Sequence, residues 1–182
     1  MALFACITLA LAGCKTLKPS DFAANRPRFD ILQFYTGQTG STGLVETSDG
    51  EPFKRVKTET WGHMEGGELH MTQDVTLENG VPERRTWRIR RLDEHHYSAW
   101  SENVIGVAKG EAWGNAFRLD YVLVLNKSNH LTHLRMTHWM TLQPDGRTML
   151  NVVTVRKLGI VIGRITEIFR HDSEAISAPR SQ

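Results

Sequence analysis

Residues Glu68–Leu77, ELHMTQDVTL, give the clearest indication of the fold of this chain. In an extended chain successive side chains point to opposite faces, so every second residue shares a face. One face of this segment would carry Leu69, Met71, Val75 and Leu77. The other face would carry His70, Thr72, Asp74 and Thr76. This alternation predicts a strand with one buried face and one face in water.

The same pattern recurs on both sides of this stretch. Trp87 and Ile89 alternate with arginines, and Phe117, Leu119 and Tyr121 alternate with polar residues. Turn signals such as Glu78-Asn79-Gly80 and Pro144-Asp145-Gly146 separate the segments, because Asn and Gly tolerate the positive φ of tight hairpins. The predicted strands are Gly43–Thr47, Phe53–His63, Glu68–Leu77, Glu83–Leu92, Tyr97–Glu102, Val104–Ala112, Ala116–Asn126, Leu131–Leu142, Thr148–Lys157 and Ile160–His171.

Ten consecutive strands joined by short turns predict an all-β fold. We expect a single antiparallel up-and-down β-barrel, lipocalin-like or calycin-like, because closure removes the unpaired edges of a meander. A β-sandwich is the alternative, although long consecutive hairpins favour the barrel. Phe29–Tyr35 is predicted to form a short helical turn before the first strand, and the barrel domain is expected to span 29–171.

The N-terminus has the pattern of a bacterial lipoprotein signal. The apolar run that ends in Leu11-Ala12-Gly13-Cys14 is too short to span a bilayer, which needs ~20 residues, and has the size of a signal-peptide core. Cleavage would leave Cys14 as the acylated N-terminus, since two or three acyl chains give a stable anchor. We therefore expect a signal peptide at 1–13, an acylated cysteine and tether at 14–28, and a polar tail at 172–182.

Charge and cysteine content narrow the class of protein. The formal net charge of +2 is too mild to predict a nucleic-acid partner. The two cysteines, Cys6 and Cys14, both lie in the predicted signal and anchor region, so the mature domain would depend on its core without disulfides. No later apolar run has the length of a transmembrane helix.

A search for catalytic and metal-binding motifs is largely negative. There is no G-x-S-x-G elbow, and Gly37, Gly40 and Gly43 match no phosphate-binding loop. A regular strand would split the pairs His130–His133 and His133–His138 between opposite faces. Ligands from separate strands could still converge, but no pattern in the sequence points to such a set, so no metal site and no cofactor are predicted. Enzyme activity stays open as the weakest hypothesis, with His138 or Glu111 as the acid or base of a lipid-modifying reaction.

Side chains on the predicted inner faces form a candidate ligand-binding set. His138 lies between two methionines on an apolar face, where it is either a hydrogen-bonded core histidine or a contact for a ligand headgroup. Methionine adapts to irregular apolar ligands, although the same side chains also suit plain core packing. The predicted ligand-binding residues are Met71, Trp87, Ile89, Phe117, Tyr121, Met136, His138 and Met140.

Three polar residues are candidates for the barrel mouth. Arg88 belongs to a group of five arginines between Arg84 and Arg91, most of which we expect on a solvated outer face. A barrel that binds an anionic lipid can nevertheless bury one arginine against a carboxylate. Glu111 and Asn115 lie in the glycine-bracketed stretch Gly110–Ala116, which is either a tight turn that needs small residues or a polar pair at the mouth.

Several motifs together resemble a known family. They are Trp87-Arg88-Ile89-Arg90-Arg91-Leu92, Gly110-Glu111-Ala112-x-Gly114-Asn115-Ala116, Trp139-Met140-x-Leu142, and Lys157-Leu158-Gly159 with Gly163. The chain from about Phe29 to Arg170 resembles a family of bacterial lipoproteins known only as a domain of unknown function. The resemblance implies a lipoprotein with a lipocalin-like or fatty-acid-binding-protein-like barrel, and it implies no activity. Lys15 after the cysteine resembles lipoproteins of the outer membrane, which predicts that the domain faces the periplasm.

Three functions follow as hypotheses. The first is a membrane-anchored periplasmic barrel that binds or carries a fatty acid or other lipid. The second is a structural or assembly lipoprotein with a filled barrel, which exposed tryptophans at Trp61, Trp100 or Trp113 would favour. The third is the lipid-modifying enzyme. An interior cavity of ~300 Å³ or more would support ligand binding, and a filled interior would support the structural role.

Overall fold

The computed structural model describes residues 16–125 and 132–171. In these ranges a 3₁₀ turn at Pro19–Phe22 and a short helix, α1, at Ile31–Phe34 precede the strands. The strands are β1 Gly37–Thr47, β2 Pro52–Glu65, β3 Glu68–Leu77, β4 Glu83–Arg91, β5 His96–Trp100, β6 Ala108–Trp113, β7 Ala116–Val124, β8 His133–Leu142, β9 Thr148–Lys157 and β10 Ile160–His171.

The ten strands form a closed antiparallel barrel. Each strand pairs with its neighbours in sequence, and β1 pairs with β10 to close the sheet. The register places Gly43 opposite Glu167 at this closure. These observations confirm the predicted all-β barrel with a short N-terminal helical turn, and they exclude the sandwich.

The strand bounds follow the predictions closely, with two informative differences. Glu68–Leu77, Thr148–Lys157 and Ile160–His171 are strands with the predicted bounds. The first strand begins earlier than predicted, at Gly37, because the glycines before Gly43 pair with β2 instead of forming a loop. The sixth strand is shorter than predicted, since Val104 forms only an isolated bridge to Leu123 before β6 begins.

The segment before β1 plugs one end of the barrel. Asp30 caps α1, where its carboxylate accepts hydrogen bonds from the backbone N–H groups of Leu32 and Gln33. The Phe29 N–H donates to the carbonyl of Gly114 at 2.7 Å, which fixes the segment to the β6–β7 turn. The buried apolar side chains of the plug are Phe29, Ile31, Leu32, Phe34 and Tyr35.

The opposite end of the barrel has no such plug in the described residues, and we call it the open end. The turns β1–β2, β3–β4, β5–β6 and β9–β10 lie there, because antiparallel strands alternate in direction. The turns β2–β3, β4–β5, β6–β7 and β8–β9 lie at the plugged end.

Part of the expected tether packs on the barrel. The Phe22 ring lies 5.9 Å from the Trp139 ring, centroid to centroid, and the Phe22 carbonyl lies close to Gly114. The segment 19–22 is thus a described element of the fold, which shortens the tether predicted at 14–28. The predicted signal peptide at 1–13, Cys14 and the tail at 172–182 lie outside the described residues. Within the described ranges, no helix has the length and apolar character to cross a bilayer.

Candidate ligand-binding site

The barrel interior holds a cavity of about 90 Å³. A site the size of a water molecule takes ~10–15 Å³ of such volume, so the cavity has room for roughly six to nine atoms of that size. The volume is well below the ~300 Å³ that we took as the sign of a spacious ligand pocket. The interior is thus neither filled nor wide, because large side chains from opposite walls meet across it.

All eight residues of the predicted ligand-binding set line this cavity. The alternation of strands β3, β4, β7 and β8 turns them inward, as the sequence pattern indicated. They are Met71, Trp87, Ile89, Phe117, Tyr121, Met136, His138 and Met140. The structure brings the set together, and whether these side chains bind a ligand stays a prediction.

Three rings form the centre of the cavity wall. The Trp87 ring packs edge-on against the Tyr121 ring at 5.2 Å, and the Tyr121 ring stacks on the His138 ring at 5.3 Å. The Tyr121 hydroxyl is hydrogen-bonded to Nε2 of His138 at 2.9 Å. Such contacts hold the rings in fixed positions, so they narrow the cavity permanently at this level.

Burial decides the charge of the two titratable rings. Desolvation lowers the pKa of His138 to about 4, although the neighbouring Asn151 side chain opposes the shift. Desolvation also raises the pKa of Tyr121 to about 12. Both rings are therefore neutral at pH 7, and Nδ1 of His138 has no hydrogen-bond partner of good geometry among the described residues.

The opposite wall of the cavity is polar and includes Glu167, a residue that the sequence analysis missed. The hydroxyls of Ser41 and Thr58 donate to its Oε1 at 2.7 and 2.9 Å, and the amide of Asn151 donates to Oε2 at 3.4 Å. Gly43 lies beside this carboxyl, and a Cβ there would stand 2.8 Å from Cγ of Glu167. Glu167 is two residues before Phe169 on β10, so the two side chains share a face of the strand. This spacing could have predicted from the sequence that Glu167 faces the interior.

Arg85 is the second missed residue, and it lines the cavity on the side of the open end. Its side chain is 18% exposed, and its Nε donates to Oε1 of Glu83 at 3.0 Å. Arg85 shares the inner face of β4 with Trp87 and Ile89, because these residues are two apart. Arg88 was the arginine of this group that we named as a candidate from the sequence, whereas the alternation of β4 puts Arg85 on the inner face.

The three polar residues predicted at the mouth lie elsewhere, and their assignment needs correction. Arg88 is on the outer face of β4, with its guanidinium over the Trp100 ring at 5.6 Å. Glu111 is on the outer face of β6, where it accepts a hydrogen bond from Nε1 of Trp113. Asn115 is in the β6–β7 turn at the plugged end and donates to the Leu142 carbonyl. Arg88 and Glu111 point outward and Asn115 lies in a turn at the plugged end, so none of the three lines the interior cavity.

The stretch Gly110–Ala116 has the other role considered for it, that of a tight turn that needs small residues. Gly110 faces the interior, where a Cβ would meet the Phe117 ring at 2.6 Å. Gly114 has a φ of +54° in the turn and lies against the Phe22 carbonyl. Small residues are needed here because the plug and a core ring approach the backbone closely.

Comparisons with known proteins support the fold and leave activity open. A family model described as "Protein of unknown function (DUF3833)" matches residues 8–171. No curated protein matches the chain. The structure is similar to the S-type phycobiliprotein lyase CPES from Guillardia theta, with a TM-score of 0.55 and 7% identity over 79% of this chain and 92% of that one. It is also similar to Rv2717c from M. tuberculosis, with a TM-score of 0.53 and 14% identity over 81% of this chain and 99% of that one.

These similarities confirm two predictions from the sequence. The chain resembles a family without an assigned activity, and its barrel is of the lipocalin-like kind. Identities of 7% and 14% show a shared fold alone. Evidence for the function therefore has to come from the residues inside this barrel.

Proposed function

We propose that this chain, which belongs to the family of proteins of unknown function DUF3833, binds a slender aliphatic carboxylate inside its barrel. A fatty acid or a shorter relative has the required shape and charge. The observation that carries the proposal is Arg85, a cation that lines a methionine-rich cavity. Calycin-like barrels with a cavity are suited to hold one small ligand.

The charged side chains that line the cavity determine whether the carboxylate or the aliphatic chain of such a ligand would point towards the open end. Arg85 is the only lysine or arginine among the described residues that line the cavity. A guanidinium binds a carboxylate through charge-assisted hydrogen bonds, and here its present partner, Glu83, is a half-exposed surface residue. On the opposite wall the Ser41, Thr58 and Asn151 side chains already donate to Glu167, so they are not free donors for a ligand carboxylate. The carboxylate should therefore lie near Arg85, with its chain towards Met71 and Met140.

His138 offers the ligand a second polar contact. When the Tyr121 hydroxyl donates to Nε2, the proton of the neutral imidazole is on Nδ1. This buried donor lacks an acceptor of good geometry in the described residues, and an unpaired buried donor costs about 1–3 kcal/mol. A carboxylate oxygen within reach of Arg85 and His138 would satisfy it. The Oδ1 atom of the neighbouring Asn151, which also lacks a hydrogen-bond partner of good geometry, and a water molecule in the cavity are the competing acceptors.

Cavity size sets the length of the chain. About 90 Å³ has room for an acid of roughly four to seven carbons without rearrangement, because the carboxylate adds two oxygens to the chain. Longer acids need extra space, which Met71, Met136 and Met140 can supply because methionine has three rotatable side-chain bonds. We expect affinity to rise with chain length only as far as these side chains can repack.

Replacing Arg85 tests the proposal. Loss of a hydrogen bond to a charged group costs about 1.5–3 kcal/mol, so Arg85→Met should weaken octanoate binding by roughly 10- to 150-fold. Octanol, which lacks the carboxylate, should bind both proteins equally. The measurement is isothermal titration of the purified chain with each ligand.

Arg88→Met is the matched control, since Arg88 lies three residues away on the outer face of the same strand. It should leave octanoate affinity unchanged. Equal affinity of wild type and Arg85→Met for octanoate would remove the basis of the proposal.

We also propose that the protein is a lipoprotein, acylated at Cys14 and held at the periplasmic face of the outer membrane. The apolar run before Cys14 and Lys15 after it support this location. Cys14→Ser should release the domain into the soluble periplasm, and continued membrane association of that variant would contradict the anchor. Binding of a ligand inside the barrel does not depend on this anchor.

A structural or assembly role is the second candidate function. The small cavity favours it, and so do the exposed apolar side chains that surround the open end and could meet a partner. Trp100 is exposed among them, whereas Trp113 stacks on His95 at 3.4 Å. The exposed set at the open end is Phe53, Leu77, Val81, Trp100, Ile105, Val107, Leu125, Leu158 and Ile160. Failure of octanoate and longer acids to bind would favour this role.

A further inference from the structure

The β2–β3 hairpin brings two histidines together on the outside of the barrel. His63 and His70 are directly opposite each other in the antiparallel register, and Glu65 and Glu68 form the next pair on the same face. Gly66 and Gly67, both at positive φ, make the tight turn that fixes this register. The hairpin thus places two imidazoles and two carboxylates on one outer face, apart from the interior cavity.

Three of these side chains converge at distances close to those of a metal site. Nε2 of His63 and Nδ1 of His70 each lie 3.7 Å from Oε2 of Glu65. Tetrahedral zinc with bonds of 2.0–2.1 Å places its ligand atoms ~3.4 Å apart. Small side-chain rotations would therefore close the three donors around one ion.

The fourth of these side chains, Glu68, lies behind His70, on the side away from Glu65. Oε2 of Glu68 lies 3.7 Å from Nε2 of His70, the nitrogen that faces away from Glu65. Nε of Arg90 donates to Oε1 of Glu68 at 2.7 Å and holds this carboxylate in place. A carboxylate behind a ligating histidine orients the ring and raises its basicity as a metal ligand.

We propose that His63, Glu65 and His70 bind a divalent transition-metal ion, with Glu68 as a positioning residue for His70. Imidazole and carboxylate donors suit zinc, copper and nickel more than calcium or magnesium. The side chains of His63 and Glu65 are about two-thirds exposed, so at least one coordination position stays open to solvent. The sequence analysis missed this site because it examined histidine pairs within one strand, whereas these ligands come from two.

Titration with ZnCl₂ tests the site. The sample is the untagged full chain with Cys6→Ser and Cys14→Ser, which removes both thiols as competing ligands. We expect one saturable zinc site per chain in isothermal titration. His63→Ala and His70→Ala should each lower the affinity by more than tenfold, and Glu68→Gln should lower it by about tenfold.

His96→Ala is the control, because His96 is an exposed histidine that contacts Asp93 in the β4–β5 turn and lies outside the hairpin. It should bind zinc as the parent does. Far-UV circular dichroism checks that each variant retains its strands. Absence of saturable zinc binding, or unchanged affinity in both His63→Ala and His70→Ala, would overturn the proposal.

Discussion

The protonation state of one buried ring, His138, affects the stability of the folded chain. Its Nε2 is bound to Tyr121, and its burial opposes protonation. Protonating it would place an uncompensated charge among methionines, which is costly in a low-dielectric interior. The ring is consequently a neutral hydrogen-bonding group at pH 7.

The shifted pKa predicts a pH-dependent stability. The pKa of His138 is about 4 in the folded chain, compared with about 6.5 for an ordinary histidine. Between these values the unfolded chain binds a proton that the folded chain does not, so the free energy of unfolding falls as the pH is lowered from 6.5 to 4. From pH 7 to 4.5 the loss from this group should be about 2 kcal/mol.

Urea denaturation of wild type and His138→Gln at pH 7 and pH 4.5 measures this loss. The titration of carboxylates is common to both proteins and cancels in the comparison. His138→Gln should lose about 2 kcal/mol less than wild type over this interval. Equal losses in the two proteins would mean that His138 is not the buried, neutral group described here.

Sequence reasoning at the residue scale succeeded for apolar side chains and was incomplete for polar ones. An apolar residue on an alternating strand has one favourable face, so Trp87 and Met136 were placed correctly. The alternating pattern does not decide the face of a charged residue in the same way. Arg88 was predicted at the barrel mouth although its place in the alternation of β4 puts it on the outer face. Glu167 was missed because its partners, Ser41 and Thr58, come from strands more than 100 residues earlier.

At the scale of elements, glycines allow the plug to approach the sheet. A Cβ at Gly62 on β2 would overlap the backbone carbonyl of Tyr35, immediately after α1. Gly40 on β1 is different, because the nearest atom to a Cβ there is 4.0 Å away. The two positions therefore separate the effect of crowding from the effect of replacing a strand glycine.

Gly62→Ala should destabilise the protein by about 1–3 kcal/mol, because the plug backbone must shift to admit the methyl group. Gly40→Ala should change the free energy of unfolding by less than about 0.5 kcal/mol. Chemical denaturation at pH 7 gives both values. Equal effects of the two substitutions would show that the plug does not pack against β2 as described.

The strands themselves were predictable, and the plug was only partly so. Asn-Gly and Asp-Gly turns with alternating segments determine hairpins locally, which is why three strands have their predicted bounds. The helical turn near Ile31 was also predicted from its local pattern. Its docking on the barrel depends on contacts such as Phe29 with Gly114, which join distant parts of the chain and leave no local periodicity.

At the scale of the whole molecule, the first described segment of the chain packs at the plugged end, where the Phe22 carbonyl lies against Gly114. Cys14 precedes Pro19 by five residues, and a chain of this length reaches at most ~18 Å. Strands of about ten residues, tilted as in other barrels, give a height of roughly 25 Å. If Cys14 is acylated, the plugged end should face the membrane and the open end should face away from it.

This orientation predicts which surface is near the lipid. Leu92 is exposed at the plugged end and Leu158 at the open end. In the acylated protein reconstituted in vesicles, a spin label at Leu92→Cys should lie closer to the bilayer than one at Leu158→Cys, as measured by oxygen accessibility. A label at Leu158→Cys that lies closer would reverse the orientation and place the open end on the membrane.

Entry of an aliphatic carboxylate into the barrel interior can be observed by NMR of the methionine methyl groups. Met71, Met136 and Met140 line the cavity, whereas Met64, at the end of β2, is 45% exposed and does not line it. Addition of octanoate to the chain labelled with ¹³C at its methionine methyl groups should shift the three cavity resonances in a saturable manner and leave Met64 unchanged. Shifts of Met64 alone, or no saturable shift at millimolar octanoate, would contradict the account.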